Sequence, residues 1–322
     1  MSEGGSAGAA EIARGATAGM LLALVAYLIS YFYPSLDALF LALFFGMGAR
    51  AVLGGGFLSG EAVDRSVRFF IPAGIVLYSA NIPFYVFKVT NPLRIVEIFW
   101  IVALYFALIM AMGAMLRLEK RLTALLATGS AICGASAIAV VSPLIRARRE
   151  EMSVAIMAIT AVGLTGAMVY PILRDLLSIS DSAYAFLCGA TLHQMGLVKI
   201  ASSYAGEEVL NSAMAFKGVR VSLIAVAALA VPYLLERKPA FPLFIAGFLI
   251  LSLLFSFVEG LQATAALVSP FATFAFAVAM ASIGLSIDLR SLHRARLRYL
   301  NVTYAAWIVV LLFVLITEEA MG

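Results

Sequence analysis

Residues 121–145 read RLTALLATGSAICGASAIAVVSPLI, an apolar run that is long enough to cross a bilayer but is interrupted at its centre. The interruption extends from Thr128 to Ser136 and contains two glycines, which disfavour helix interiors. A helix that breaks halfway leaves free N–H groups and a positive dipole end at the break, and these favour a small oxyanion. The stretch therefore predicts a broken transmembrane helix. Close helix packing through small residues is the alternative.

The chain as a whole has the composition of a polytopic membrane protein. Of its 322 residues, 63% are hydrophobic and 12% are charged, whereas soluble domains are about half apolar and about a quarter charged. Runs of about 20 apolar residues predict an all-α bundle of about eleven transmembrane helices. The predicted spans are 15–33, 36–53, 66–87, 92–116, 121–145, 151–176, 182–203, 209–234, 240–259, 262–288 and 298–318.

The Lys and Arg residues favour one orientation. With the N-terminus inside, the predicted inner segments carry 14 of these residues and the outer segments carry six. Cytoplasmic loops are enriched in Lys and Arg, so we expect a multi-pass protein of the cell (inner) membrane with an external C-terminus. An outer cluster of Arg146, Arg148 and Arg149 opposes this orientation. The net charge of +4 fits basic loops, and no nucleic-acid partner is expected.

A second interruption predicts an inverted repeat. Ser269-Pro270-Phe271-Ala272-Thr273 lies about as far into the tenth predicted helix as the first interruption lies into the fifth, and proline removes a backbone donor. Each interrupted helix is the fourth in a set of five, and an odd number of helices inverts the second set. Paired broken helices in inverted repeats are typical of secondary transporters. We therefore predict a tail and extra helix at 1–35, then five-helix repeats at 36–177 and 182–318.

Two cations lie inside the eighth predicted helix. Lys217 and Arg220 share one face, and each costs about 2.5–3.5 kcal/mol at the centre of a membrane helix. Residues 212–230 contain no Asp or Glu that could compensate them. A bound anion or the oxygen atoms at the break of the fifth helix would do so. An ion pair with Glu97 or Glu259, or snorkelling of Lys217 to the membrane surface, is the structural alternative.

These patterns together predict a substrate-binding site. His193 lies about 11 residues into the seventh predicted helix, where its ring can relay protons, although a buried histidine can also be a core residue. The predicted set is Arg220, Lys217, His193, Ser130, Cys133, Gly134, Ser136, Thr128 and Thr273. We expect no metal site, no cofactor beyond Na⁺ or H⁺ as a coupling ion, and no enzymatic activity. A membrane-bound sensor or enzyme using Cys133 and His193 is the alternative of another class.

Three motifs resemble one known family. Residues 129–137 resemble the Gly-Ser-x-Ile-Cys-Gly-Ala-x-Ala stretch of the YeiH-like sulfate exporters. Residues 189–193 resemble that family's Gly-x-Thr-x-His segment, and residues 217–221 resemble its Lys-x-x-Arg-Val segment. The chain departs from the family at Gln194, where a glutamate often follows the histidine.

The resemblance implies a secondary transporter similar to the bile acid/arsenite/riboflavin transporter superfamily. Such a protein would export sulfate or a related sulfur oxyanion by alternating access, and by analogy it would form a homodimer. A Na⁺- or H⁺-coupled carrier of organic anions is the alternative within transport. In that fold, predicted helices 7 and 8 would lie in a panel domain and helices 5 and 10 in a core domain. His193, Lys217 and Arg220 would then face the breaks across a cleft.

Overall fold

The computed structural model of the chain describes residues 3–34, 36–54, 60–82, 84, 86–236, 243–286 and 297–321. These residues form α-helices and one 3-10 helix and contain no strand, which confirms the predicted all-α class. The elements are α1 (Glu3–Phe32), α2 (Ala38–Leu53), α3 (Gly60–Tyr78), the 3-10 helix (Ser79–Asn81), α4 (Val86–Val89), α5 (Pro92–Met115), α6 (Lys120–Ala131), α7 (Ala135–Val141), α8 (Arg149–Leu177), α9 (Asp181–Thr191), α10 (Met195–Ser203), α11 (Glu207–Ser222), α12 (Ile224–Glu236), α13 (Leu243–Phe257), α14 (Glu259–Ser286) and α15 (Leu297–Met321).

Several of these helices are long and apolar enough to cross a membrane. Among the described residues they are Pro92–Met115, Arg149–Leu177, Glu207–Glu236, Thr264–Leu285 and Leu297–Glu319. Shorter apolar helices cover Thr17–Phe32, Ala38–Leu53 and Leu243–Phe257. The chain is therefore a helical membrane protein. The predicted repeats remain predictions, and so does the total of about eleven spans except at 121–145 and 182–203, which are described below.

The chain divides into two compact units, each made of two separate segments. The first unit comprises Met1–Asn81 and Phe241–Arg294, and the second comprises Ile82–Ala240 and Ala295–Gly322. Neither unit coincides with a predicted five-helix repeat.

The first unit packs α1, α2 and α3 against α14. The predicted break at Ser269–Thr273 is wrong, because α14 continues as a helix through Pro270. Proline is tolerated inside membrane helices where neighbouring groups satisfy the freed backbone. The small residues of α14 serve packing instead: a Cβ atom on Gly284 would lie 2.9 Å from the Cα atom of Gly46 in α2. Close helix packing through small residues, which was the alternative for the interruption in 121–145, is thus found in α14.

The second unit contains a broken helix that turns back on itself. The break predicted in 121–145 is present, because α6 ends at Ala131 and α7 begins at Ala135. A spanning helix would separate the two ends of this segment by more than 30 Å. Instead, Arg148 Nη2 donates to Glu119 Oε2 at 2.5 Å. Residues 120–147 therefore form a re-entrant hairpin, hairpin 1, with both of its ends on the same side of the unit.

A second re-entrant hairpin, hairpin 2, comprises residues 181–203. The sequence predicts one continuous span at 182–203, but α9 ends at Thr191 and α10 begins at Met195. Arg174 at the end of α8 bonds Asp181 at 2.6 Å, and Tyr204 donates to Asp175 at 2.7 Å. Both ends of hairpin 2 therefore lie beside the end of α8. Since α8 begins beside the base of hairpin 1, the two hairpins enter the unit from opposite sides.

The half-helices have the right length to meet at mid-membrane. The first half-helix of each hairpin, α6 with 12 residues and α9 with 11, reaches about 17–18 Å at 1.5 Å per residue. This is slightly more than half of a ~30 Å hydrocarbon core. Each hairpin then has a three-residue break, at 132–134 and at 192–194. The breaks of the two hairpins therefore approach one another at the centre of the bundle.

The re-entrant path of hairpin 1 is testable by cysteine labelling. Lys120, Glu150 and Glu207 are exposed, and the native cysteines are buried, so background reaction is low. With a membrane-impermeant maleimide, we expect Lys120→Cys and Glu150→Cys to react from the same side and Glu207→Cys from the other. Reaction of Lys120→Cys and Glu150→Cys from opposite sides would mean that 121–145 spans the membrane.

Candidate functional site

The hairpin tips, residues 130–134 and 189–194, are in direct contact. Gly134 has φ +75°, and a Cβ atom there would lie 2.8 Å from Gln194 Cγ and 3.4 Å from the His193 carbonyl oxygen. Glycine is required at this position because L-residues rarely adopt such a φ and because no room exists for a side chain. The two breaks thus pack backbone against backbone.

Lys217 of α11 binds both tips. Its Nζ atom donates to the carbonyl oxygens of Ile132 at 2.9 Å, Leu192 at 2.7 Å and His193 at 2.8 Å. The side chain is 0% exposed, so it does not snorkel to the membrane surface. Three acceptors around one nitrogen match the three N–H donors of an ammonium group, so the geometry fits the charged form.

Arg220 lies one turn further along α11 and binds the same tips. Its Nε atom donates to Ala131 O at 3.0 Å and its Nη2 atom to Ser130 O at 2.6 Å. Its Nη1 atom donates to Leu192 O at 2.7 Å and to Gly189 O at 3.3 Å. The side chain is 0% exposed. We call Lys217 and Arg220 with these carbonyl oxygens the cation clamp.

The cation clamp provides donors for the carbonyl oxygens of the tips, but these oxygens do not cancel the charge of Lys217 and Arg220. The last carbonyls of a helix lack intrahelical partners, and each helix C-terminus acts as roughly half a negative charge. The C-termini of α6 and α9 therefore offset about one of the two positive charges. The N-terminus of α10, which begins at the same break, adds a partial positive charge. A positive excess is left at the crossing.

Glu97, one of the two carboxylates that the sequence offered as partners, does not supply this compensation. Glu97 bonds Arg94 at 2.8 Å, and Arg94 also pairs with Glu318. The side chain of Glu259 lies outside the described residues. Within the part of the chain that the structure describes, the clamp bonds only backbone oxygens.

Three buried side chains at the tips carry polar atoms without a partner. Within the described residues, these atoms are Ser130 Oγ, His193 Nδ1 and Nε2, and Gln194 Oε1. Ser130 and His193 are 0% exposed and Gln194 is 3% exposed. Gln194 uses its other amide atom, since Nε2 donates to Thr160 Oγ1 at 3.0 Å. Buried polar groups without a partner point to a missing ligand or to water.

Of the other predicted site residues, three lie at or beside the break of hairpin 1. Cys133 and Gly134 lie buried in the break of hairpin 1, and Ser136 is half-buried in the first turn of α7. Thr128 is also buried, but its hydroxyl donates to Ala124 O at 2.7 Å within its own helix. Thr273 lies in the first unit, and its hydroxyl donates to Ser269 O at 3.4 Å.

Sequence reasoning missed two features of this site. Tyr105 of α5 packs against the His193 ring with centroids 5.9 Å apart and lies 5.9 Å from the Arg220 guanidinium carbon. The second break was also missed, although Thr191, His193 and Gln194 interrupt an apolar run and were its visible signal. The assignment of predicted helices 7 and 8 to a different domain from helix 5 is wrong. The structure puts all three in the second unit, in direct hydrogen-bonded contact.

Comparison with known proteins identifies relatives over nearly the whole chain. The sequence model of a family described as Conserved hypothetical protein 698 matches residues 14–303. A UPF0324 membrane protein of Archaeoglobus fulgidus is 38% identical over 302 residues, which cover 92% of this chain and 90% of the relative. A UPF0324 membrane protein of Agrobacterium fabrum is 30% identical, with 81% and 77% covered. No solved structure matches the chain at significant similarity.

Proposed function

This chain belongs to the family described as Conserved hypothetical protein 698, and from the geometry of its hairpin tips we propose that it is a secondary-active transporter of a small oxyanion. The substrate would bind at the hairpin tips and reach either side of the membrane by alternating access. Sulfate or a related sulfur oxyanion is the substrate that the motif resemblance implies.

One observation carries the proposal: two hairpins that enter from opposite sides meet at a buried site with excess positive charge. Each half-helix break exposes backbone groups at mid-membrane, which are tolerated only where they are buried in protein or line a cavity. The cation clamp supplies charge, and the atoms of Ser130 and His193 that have no partner in the described part of the chain supply hydrogen bonds. Intramembrane ionisable groups of this kind mark substrate pathways.

His193 is the proposed proton carrier. A proton on His193 would add a third positive charge, which Lys217 and Arg220 would repel. An anion bound at the tips would attract this charge instead. The ring would therefore take up a proton together with the anion and release it with the anion. This order of events would couple anion movement to a proton gradient.

Hairpin 1 also bears on the Arg cluster that opposed the predicted orientation. Arg148 lies beside Glu119, so the cluster that opposed the orientation moves to the same side as Arg117, Lys120 and Arg121. We propose that this side of the second unit faces the cytoplasm, as the distribution of Lys and Arg in inner-membrane proteins favours. The labelling described above, done on intact cells and on inverted vesicles, tests this orientation.

Flux into proteoliposomes tests the transport proposal. We expect saturable counterflow of radiolabelled sulfate or phosphate that protein-free liposomes lack, and faster uptake when a proton gradient is imposed. Folded, reconstituted protein that moves none of a panel of inorganic oxyanions would overturn the assignment. Sodium-dependent uptake of organic anions, with sulfate and phosphate unable to compete, would favour the alternative carrier.

A further inference from the structure

We propose that the anion bound at the tips carries a hydrogen-bond donor of its own, so that the site prefers a protonated oxyanion to sulfate. Hydrogenphosphate and bicarbonate belong to this class, whereas sulfate offers only acceptors at neutral pH. This inference rests on the proposed anion site and narrows its substrate class.

Gln194 is the residue from which the inference starts. Its Nε2 atom donates to Thr160 Oγ1, and its Oε1 atom is buried without a partner among the residues that the structure describes. An amide oxygen can only accept hydrogen bonds. A donor-free anion would place oxygen against oxygen here, and the desolvated Oε1 atom would stay unsatisfied. A ligand hydroxyl would satisfy it.

The neighbouring side chains supply donors for the rest of the ligand. Ser130 Oγ can donate one bond, and both ring nitrogens of His193 can donate in the protonated form that accompanies the anion. The three side chains therefore form a mixed set of donors and acceptors. A site built only for sulfate would present donors alone.

Gln194 and His193 lie side by side in the bundle. A Cβ atom built on Gly163 of α8 would lie 3.4 Å from His193 Cβ and 3.7 Å from Gln194 Oε1. Both residues belong to the tip whose carbonyl oxygens bind Lys217. The acceptor thus lies in the same hairpin tip as two of the carbonyl oxygens that bind the positive charge of Lys217.

The contribution of a ligand hydroxyl to affinity is large in such sites. A site built to hydrogen-bond a ligand hydroxyl rejects analogues without it by factors of up to about 10⁴–10⁵, because buried polar groups are left unpaired. Here only one acceptor, Gln194 Oε1, would lose its hydrogen bond, and a water molecule can partly replace the missing donor. We therefore expect a preference of about tenfold or more.

Two matched anion pairs test the preference in the purified full-length protein. Binding of inorganic phosphate is compared with sulfate, and bicarbonate with nitrate, by titration calorimetry and by thermal shift at pH 7. The second pair has equal charge and similar shape. We expect phosphate and bicarbonate to bind at least tenfold more tightly than their partners. Sulfate and nitrate binding as tightly or more tightly would overturn this inference alone, whereas binding of none of the four would contradict the anion site itself.

Variants of Gln194 identify the acceptor. Gln194→Leu removes the oxygen, so phosphate and bicarbonate should bind this variant about as tightly as sulfate and nitrate do. Gln194→Glu keeps an acceptor oxygen at the same position, so the preference within each pair should persist, while its negative charge should weaken the binding of all four anions. An unchanged preference in Gln194→Leu would show that Oε1 is not the discriminating group, and the wild-type comparison tests the preference even if that variant fails to fold.

Discussion

Replacing Arg220 with methionine is expected to remove much of the stability of the second unit. The change leaves the carbonyl oxygens of Ser130, Ala131 and Gly189 without the donor that now binds them. A buried group left unsatisfied costs about 1–3 kcal/mol, so the loss is about 3–9 kcal/mol. Whole domains are stable by about 5–15 kcal/mol. Thermal unfolding in detergent, followed by tryptophan fluorescence, measures the change.

Two further substitutions calibrate this result. Lys217→Met should cost less, because it removes the donor from Ile132 and His193, while Leu192 keeps its bond to Arg220. Arg298→Met removes an exposed arginine and should leave the unfolding midpoint unchanged. If Arg220→Met unfolds at the wild-type temperature, the clamp does not hold the tips together.

Transport should respond to a different set of residues. Ser130→Ala and His193→Leu remove polar atoms that have no hydrogen-bond partner among the described residues, so we expect unchanged or slightly raised stability. Each removes a proposed contact to the anion, so flux should fall at least tenfold. His193→Leu should also abolish the proton uptake that accompanies anion addition, which a pH-sensitive dye reports in weakly buffered protein.

A matched serine controls for the loss of a hydroxyl. Ser202 is also buried, but its hydroxyl donates to Val198 O at 2.7 Å within α10. Ser202→Ala should therefore keep its flux. Equal flux in wild type, Ser130→Ala and His193→Leu would place the anion pathway elsewhere. Loss of stability in step with loss of flux would mean that these side chains are structural.

The break of hairpin 1 could be predicted from the sequence because its signal is local. Two glycines and three hydroxyl residues interrupt an apolar run, and no distant residue is needed to see them. The re-entrant path could not be predicted in this way. A span and a hairpin of about 25 residues have the same composition, and the difference depends on the long-range pairing of Arg148 with Glu119.

The second break could have been inferred from the two cations. A charged lysine has three N–H donors and arginine has five, and few side-chain acceptors lie near them in sequence. Backbone carbonyls inside intact helices are already paired, so these donors require helix ends. The false break at Pro270 has the opposite cause, since neighbouring groups in a bundle can hide a missing backbone donor.

The cation clamp has a consequence for biosynthesis. The half-helices of both hairpins are too short to span a bilayer, and α11 carries two charges, each of which costs about 2.5–3.5 kcal/mol for insertion by the translocon. Both hairpins are synthesised before α11. They must therefore wait, incompletely inserted, until α11 emerges and supplies the donors for their ends. A chain that is truncated after residue 206 and released from the ribosome should thus leave both hairpins accessible to added protease, whereas one truncated after Ser222 should protect them.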